Sequence, residues 1–442
     1  MWQQLMDRAE LTTADGEPIR IIYPGKKNDD RGADFRDAVI ATNRGIIKGD
    51  IEVHVKTSHW QVHRHYQDPA YNRVILQVVL WHDTEAATSL HNGKTVPTLV
   101  LDRYLGDAPE HWTRLVPSTM PCRKPVKGLA TETVAKLLDS AGEERFWAKA
   151  AEFQAELSQM EASQRLYQGI MSALGYAKNK PPMLQLARKV PLHRLQPMTE
   201  GGTPEQECLA QLQALLLGTA GLLPSQRRDR HRGYDGDRWV DKLEGLWAAS
   251  GHTQAMSEDE WHLFKVRPNN FPLRRIAAMS YLVLRYRQRG IVAEVLNMIK
   301  QTPVSQGYLG LETGFRVTAD GYWASHSDFG LKSRNNNPTL LGRWRAADIA
   351  VNVLLPFAHA WGKVNSQLEV ERKAVDFYCH YPRLAVNTVE RHMMKQLGVD
   401  SSLVNSARRQ QGLIHIYNTL CTQGRCNSCP LSQPEAGKYI QV

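Results

Sequence analysis

The segment 49–56, Gly-Asp-Ile-Glu-Val-His-Val-Lys, alternates polar and apolar residues along its whole length. Successive side chains of a strand point to opposite faces, so this period of two predicts a β-strand. One face of that strand would carry Asp50, Glu52, His54 and Lys56. Carboxylate ligands for a divalent ion, next to a cation that polarises the substrate, are what metal-assisted hydrolysis needs. The alternation therefore predicts a strand and a candidate site together.

The charge balance of the chain favours a polyanionic partner. Among 442 residues, 55 are Lys or Arg and 45 are Asp or Glu, which gives a formal net charge of +10. Such an excess of cations is typical of proteins that bind nucleic acid, and we expect DNA rather than RNA. The alternative is a merely basic soluble enzyme.

The ends and the hydropathy of the chain predict a soluble, cytoplasmic protein. The start, Met-Trp-Gln-Gln, lacks a basic stretch followed by an apolar run, so we expect no signal peptide. We also expect no stretch that approaches the roughly 20 apolar residues of a membrane span. No membrane partner is therefore predicted.

The periodicity changes along the chain and predicts an α+β fold with three regions. Short β-branched runs with turn residues between them predict a small mixed-sheet α/β domain in residues 1–115. Helical spacing of apolar residues predicts a helical domain in residues 130–330. Residues 331–442 are predicted to form a further helical region, which carries a group of cysteines.

A third carboxylate, Asp34, begins the first strand of a predicted hairpin, Asp34 to Ala41, whose second strand carries Glu52. This order resembles the core of the PD-(D/E)XK nucleases. The resemblance implies a restriction-endonuclease-like domain in which Asp34 and Glu52 bind Mg²⁺ or Mn²⁺, with Asp50 as a further ligand. It also implies a lysine two residues beyond the second acid, but His54 stands there and Lys56 lies about 7 Å further along the strand. We expect His54 and Lys56 to be the catalytic partners of the two acids.

Three histidines follow the strand within seven positions, at His59, His63 and His65. On a helix His59 and His63 would share a face, and on a strand His63 and His65 would do so. In either geometry His63 and His65 are candidate metal ligands. They leave open a different hydrolase, in which His54, His63 and His65 hold a transition metal.

The cysteines near the end have the spacing C-x₄-C-x₂-C, formed by Cys421, Cys426 and Cys429, with Cys379 as a remote fourth ligand. Four thiolates can enclose a [4Fe–4S] cluster or a Zn²⁺ ion, and we expect the cluster. The ending Cys-x-x-Cys-Pro-Leu resembles the cluster loop of endonuclease III-like DNA glycosylases. A late cysteine group with one remote member also resembles the iron–sulfur nuclease domains of helicase–nuclease complexes.

The whole chain resembles a bacterial family of unknown function. The resemblance rests on segments 31–38, 49–65, 174–179 and 267–276 and on the cysteine tail. It implies a shared fold and brings no activity. From the residues we expect a metal-dependent nucleic-acid phosphodiesterase with a structural iron–sulfur cluster. The alternative is a non-catalytic nucleic-acid-binding protein with a degenerate nuclease core.

Overall fold

A computed structural model describes residues 2, 11–28, 32–104, 126, 128–176, 178–227, 236–252, 254–263, 266–333 and 338–432. These residues form two compact units. Unit 1 comprises residues 1–142, 386–405 and 409–442, and unit 2 comprises residues 143–385 and 406–408. The sequence-based regions 1–115, 130–330 and 331–442 stay predictions, and residues 105–125 lie outside the described residues.

Unit 1 is built on a mixed β-sheet. Strands β4 and β5 form an antiparallel hairpin, whereas β6 and β9 run parallel to β5. The order across the sheet is β1-β2-β4-β5-β6-β9, with β3 paired to β4. The strands of this unit are Leu11–Thr12 (β1), Pro18–Tyr23 (β2), Lys26–Lys27 (β3), Phe35–Thr42 (β4), Gly45–Lys56 (β5), Val74–Trp81 (β6), Thr88–Ser89 (β7), Thr95–Val96 (β8) and Thr98–Val100 (β9). The predicted N-terminal mixed sheet is confirmed.

The alternation in residues 49–56 places different side chains on the two faces of β5. Ile51 is fully buried in an apolar cluster with Ala38 and Leu76, and Val53 packs against the same cluster. Glu52 and His54 point to the opposite face, because side chains of a strand alternate. They are nevertheless buried. From Asp50 to His54 both faces of this strand are therefore largely covered, whereas Val55 and Lys56 at its end are exposed.

Two backbone features shape the start of the polar face. A Cβ at Gly49 would lie 2.4 Å from the carbonyl oxygen of Arg73 and from Cγ2 of Ile75, so only glycine allows β6 to approach here. The β4–β5 register shifts between Phe35 and Ala38, and Asp37 within this shift has φ 59°. This bulge turns the N–H of Asp37 toward Asp50, whose Oδ1 accepts it at 3.1 Å.

Most helices belong to the region after residue 130, as predicted. The helices are His59–Val62 (α1), Thr131–Leu157 (α2), Ala162–Leu174 (α3), Lys180–Lys189 (α4), Leu192–Leu195 (α5), Glu205–Thr219 (α6), Arg238–Ala249 (α7), Pro272–Arg285 (α8), Ile291–Gln301 (α9), Gly307–Phe315 (α10), Tyr322–Ser325 (α11), Arg343–Ile349 (α12), Leu355–Val364 (α13), Leu368–Cys379 (α14), Thr388–Leu397 (α15) and Ala407–Thr419 (α16). One turn of π-helix, Ala350–Leu354, joins α12 to α13. Short strands β10 to β13 lie between α10 and α12, at Val317–Thr318, His326–Asp328, Leu331–Lys332 and Thr339–Leu341. Apart from that small β-structure, unit 2 is helical.

One apolar segment contradicts the expectation that no stretch is long enough to cross a membrane. Residues Glu205–Gln226 are long and apolar enough to do so, with a mean hydropathy of 1.3. However, 89% of the apolar window is buried inside the protein. Leu212, Leu216 and Leu217 of α6 are fully buried in the core of unit 2. The segment is thus placed as the core helix of a soluble protein would be.

The C-terminal residues return to unit 1. Leu413, Ile416 and Leu431 share an apolar cluster with Tyr23 and Val39 of the sheet. The phenol of Tyr23 lies 2.8 Å from Nε2 of His392 in α15. Unit 1 is therefore completed by chain segments more than 350 residues apart in sequence.

Substitution of Gly49 by alanine is expected to lower the free energy of unfolding by about 1–3 kcal/mol, because the new Cβ overlaps β6. Gly245→Ala is the control, since this exposed helical glycine has no heavy atom within 4 Å of the added Cβ. Alanine there should be neutral or slightly stabilising. Urea denaturation of both variants measures the difference. Equal stability of the two would contradict the close approach of β6.

Stability is expected to depend on pH through His392. Burial lowers its pKa to about 4, whereas an imidazole in the unfolded chain titrates near 6.5. Between these two pKa values, the imidazole of His392 is protonated in the unfolded chain and neutral in the folded protein. The free energy of unfolding should therefore fall by about 2 kcal/mol from about pH 7 to about pH 5. Denaturation at both pH values, compared with His392→Gln, isolates this contribution, and an unchanged pH slope in the variant would refute it.

Candidate metal centre

Glu52 stands between two imidazoles on the buried polar face of β5. Its Oε1 lies 3.3 Å from Nε2 of His54 and 3.4 Å from Nε2 of His65. The two imidazole nitrogens are 3.3 Å apart, and their rings stack at 5.2 Å with planes 13° apart. All three side chains are buried. Three polar atoms of different residues thus form a nearly equilateral triangle in the interior.

The size of this triangle is compatible with a metal site as well as with long hydrogen bonds. A hydrogen bond from an imidazole to a carboxylate is about 2.7–2.9 Å long when it is charge-assisted. Ligand atoms about 2.0–2.1 Å from a tetrahedral ion are separated by about 3.3 Å. An octahedral Mg²⁺ would require neighbouring ligand atoms about 3.0 Å apart. The observed distances of 3.3, 3.3 and 3.4 Å fit the tetrahedral case.

His63 approaches the same point from the exposed side. The ligand nitrogens of His54, His63 and His65 all lie within 4.8 Å of one another. Among the described residues, these three histidines form a group that could hold a metal ion. Burial, followed by the neighbouring imidazoles His54 and His65, lowers the pKa of His63. A neutral imidazole is the form that binds a metal, so this environment favours coordination.

The local chain path brings the histidines back to the strand. Helix α1 ends at Val62 and His63 is its C-cap, after which Arg64 adopts the left-handed conformation with φ 58°. This reversal returns His65 toward β5. Trp60 anchors the turn, because its indole is buried and donates to the carbonyl oxygen of Ser89 at 2.9 Å. Of the two predicted geometries, His59 and His63 do lie one helical turn apart, with ring centroids at 5.5 Å.

Asp34 and Glu52 are fixed side by side through reciprocal hydrogen bonds. The N–H of Asp34 donates to Oε2 of Glu52 at 3.0 Å, and Oδ2 of Asp34 accepts from the N–H of Val53 at 3.1 Å. Burial and then the charge of Glu52 raise the pKa of Asp34, although the residue is exposed at the edge of the site. Burial opposes ionisation of Glu52 as well, but His54 and His65 outweigh it and lower the pKa of Glu52. The site therefore holds one ionised buried carboxylate and one exposed carboxylate with a raised pKa.

Gln77 of β6 orients His54 by contacting its Nδ1, and the sequence analysis did not identify this residue. Its side-chain amide is fully buried, lies 3.1 Å from Nδ1 of His54 and donates to the carbonyl oxygen of Thr57 at 3.2 Å. Its oxygen accepts from the hydroxyl of Thr88 at 2.7 Å. In this orientation Nε2 of His54 carries the proton, so a metal at Nε2 would require the proton to move to Nδ1 and the amide to rotate. A lone polar residue in the apolar run Val74–Trp81 was the signal that could have identified it.

Two other predicted site residues have partners away from the triangle. Asp50 accepts from the N–H of Asp37, and Arg73 lies 3.6 Å from the same oxygen. Burial raises the pKa of Asp50 despite these partners. Lys56 is half-exposed, and its ammonium lies 3.9 Å from Oδ2 of Asp83. The structure thus brings together Asp34, Glu52, His54, His63 and His65, and places Asp50 and Lys56 in other ion pairs.

The cysteines are distributed over both units. Cys379 ends α14 in unit 2, whereas Cys421, Cys426 and Cys429 lie in unit 1. Cys429 is buried among apolar residues, and burial followed by Cys429 raises the pKa of Cys426. Cys421 lies 3.7 Å from Nε2 of Gln396 and 4.0 Å from Sδ of Met393. An iron–sulfur cluster or zinc ion at these residues stays a prediction.

A comparison with protein families shows to which family the chain belongs. The model of a family described as protein of unknown function (DUF2851) matches residues 1–383. The chain belongs to this family. Neither the curated proteins nor the solved structures give a match. The DUF2851 match includes every residue of the candidate metal centre, whereas Cys421, Cys426 and Cys429 lie beyond it.

Glu52→Gln is expected to weaken binding of Zn²⁺ or Mn²⁺ at least about 10-fold, since it replaces the one charged ligand of the triangle. Asp50→Asn is the matched control on the same strand, and it should keep the metal because Asp50 is held by Asp37 and Arg73. Calorimetric titration of metal-stripped protein, with circular dichroism to confirm folding, gives the comparison. Equal loss in both variants, or binding unaffected by either, would contradict the assigned ligand set.

Proposed function

We propose that this protein is a metal-dependent hydrolase that cleaves phosphodiester bonds of nucleic acid at the Glu52 site. The observation that carries the proposal is the bridging position of Glu52. One of its oxygens faces His54 and His65, and the other accepts the N–H of Asp34. A strand carboxylate beside an acid at the start of the neighbouring strand is the arrangement that the PD-(D/E)XK resemblance implies.

The ligand set favours a transition metal over Mg²⁺. Two imidazoles and a carboxylate suit Zn²⁺, whereas Mg²⁺ and Mn²⁺ prefer carboxylates and water. A bound ion of this kind polarises a phosphoryl oxygen and lowers the pKa of water. Glu52, His54, His63 and His65 are the residues that would hold it. The proposed ligands therefore differ from the predicted set of Asp34, Asp50 and Glu52, because histidines replace the two aspartates.

Asp34 is suited to accept a proton from the attacking water. It is the exposed carboxylate of the site, and burial together with Glu52 raises its pKa. A carboxylate with a raised pKa is a stronger base than one in free solution. The hydrogen bond from Val53 to Oδ2 fixes its orientation, which leaves Oδ1 as the atom that can accept a proton. His54 serves as a metal ligand next to Glu52 rather than as a replacement for the missing lysine.

The surroundings of the site are suited to a polyanion. Lys27, Lys56 and Arg64 are exposed, and the charge of Lys27 acts directly on Asp34. The net charge of +10 adds long-range attraction for phosphate. Exposed cations around a buried metal centre would hold the backbone of a nucleic acid while one phosphate enters the site.

The test is cleavage of labelled single- and double-stranded DNA and RNA with added Zn²⁺, Mn²⁺ or Mg²⁺. Glu52→Gln should reduce the rate at least about 100-fold, and Asp34→Asn should reduce kcat with metal binding retained. Glu17→Gln is the control, because Glu17 pairs with Arg44 at the outer hairpin. Its rate should equal that of the wild type.

Two outcomes would overturn the proposal. Wild-type protein that binds nucleic acid without metal-dependent cleavage would favour the non-catalytic alternative. Cleavage that survives Glu52→Gln would exclude this site as the source of the activity.

A further inference from the structure

A large aromatic side chain, Trp81, is exposed at the end of β6. The residue is 48% exposed, although tryptophan is highly buried on average in folded proteins. Within the described ranges of the chain, its indole N–H donates to no partner and its ring stacks on none of the other aromatic rings. A broad apolar surface with a hydrogen-bond donor is therefore open to a ligand.

The strand register places Trp81 on the same face of the sheet as the metal centre. β5 and β6 run parallel, their register is continuous over the second half of β5, and it ends with Lys56 opposite Trp81. Residues opposite each other in neighbouring strands point to the same face, and Glu52 and His54 share the face of Lys56. Leu80, the preceding residue, packs on the apolar cluster of the other face. Trp81 therefore extends the face that carries Glu52 and His54.

Hydrogen bonds hold the chain around Trp81 against the start of α1. The N–H of Thr57 donates to the carbonyl oxygen of Trp81 at 3.2 Å. The N–H and the hydroxyl of Ser58, the N-cap of α1, donate to the two carboxylate oxygens of Asp83 at 2.9 and 2.8 Å. The backbone on both sides of this ring is thus fixed to the helix that leads to the histidines. A rigid support lowers the entropy that is lost when a ligand binds.

Lys56 supplies a cation beside the ring. Neighbouring strands lie about 4.8 Å apart, so the side chains of Lys56 and Trp81 start close together. Lys56 is half-exposed, and its ammonium lies 3.9 Å from Oδ2 of Asp83, which is itself partly exposed. Ion pairs with this exposure contribute little to stability, so the ammonium can turn to another anion at little cost. A cation and an aromatic face therefore lie side by side at this end of the sheet.

We propose that Trp81 is a stacking platform for a base of single-stranded nucleic acid, with Lys56 contacting an adjoining phosphate. Every base has a π-face, and an unpaired nucleotide can offer it to an aromatic side chain. The net charge of +10 favours a polyanion over an uncharged aromatic or apolar ligand. Lys56 lies roughly 7 Å beyond His54 along β5, so one strand can reach both the platform and the metal centre. This inference rests on the proposed function and narrows its substrate to single strands.

The first experiment measures binding of a dye-labelled single strand and of the duplex of the same sequence by fluorescence anisotropy. EDTA is present, so no metal-dependent cleavage occurs. Trp81→Ala should bind the single strand about 10-fold more weakly and the duplex with less than about 2-fold change. Trp344→Ala is the matched control, because Trp344 is 56% exposed in unit 2, and its affinity should change less than about 2-fold.

Three outcomes of this comparison would overturn the proposal. They are no binding of the single strand by the wild type, equal effects of Trp81→Ala and Trp344→Ala, and equal weakening for single strand and duplex.

A conservative variant separates stacking from a structural role. Trp81→Phe keeps an aromatic face, so its affinity for the single strand should stay within about 3-fold of the wild type. Stacking of a base on the indole should quench its fluorescence, so the quenching on binding should be smaller in Trp81→Phe. Quenching equal to that of the wild type would refute the contact. Trp81→Phe that folds, as judged by circular dichroism, and binds as weakly as Trp81→Ala would refute stacking as well.

The phosphate contact is tested through the salt dependence of binding. Lys56→Gln should reduce the slope of log affinity against log salt concentration by about 1, because one phosphate contact is lost. Lys136→Gln is the control, since Lys136 is also an exposed lysine of unit 1 and pairs with Glu132 at 3.0 Å. Its slope should equal that of the wild type. An unchanged slope in Lys56→Gln would refute the role of this lysine.

Failure of this inference can be told apart from failure of the proposed function. Binding in EDTA that depends on Trp81, without metal-dependent cleavage, would support the platform and remove the catalysis. Cleavage that depends on Glu52, with binding indifferent to Trp81, would support the catalysis and remove the platform.

Discussion

The candidate site depends on two hydrogen bonds that cross the hairpin between Asp34 and the strand of Glu52. Each acid accepts a backbone N–H from the neighbourhood of the other, so neither carboxylate can move without breaking the pairing of the first residues of β4 with β5. Backbone donors fix a carboxylate more firmly than a flexible side chain does, and they leave its second oxygen available. This constraint sets where His54 and His65 must converge, because both approach the remaining oxygen of Glu52.

The two-residue period of segment 49–56 made part of this arrangement predictable. Strict alternation in residues 49–56 is sufficient to predict a strand with Glu52 and His54 on one face, and the acid at Asp34 falls where a hairpin brings it alongside. The spacing of the histidines made His63 and His65 candidate ligands, but it does not show how His65 returns to β5, since that depends on a left-handed residue at Arg64 and on the anchoring of Trp60. Such a reversal involves no periodic signal. Asp50 was predicted on the same face, but a strand pattern does not show that Arg73 and the N–H of Asp37 lie next to its carboxylate.

The spacing of apolar residues predicted helices after residue 130, but such spacing does not show which cations are buried. Arg274 and Arg275 are buried and donate to the carbonyl oxygens of His326 and Leu340. Charge in sequence does not distinguish an exposed cation from one that organises the interior.

The return of the C-terminal segment to unit 1 has a consequence for synthesis of the chain. Val39 of the sheet touches the tail, since a Cβ at Gly424 would lie 2.9 Å from its side chain, and Lys48 of β5 donates to Gln423 at 2.5 Å. The strands of unit 1 precede unit 2 in the chain, whereas Leu413, Ile416 and Leu431, which help to bury Tyr23 and Val39, follow it. The apolar cluster of unit 1 is therefore completed only after unit 2 has been synthesised.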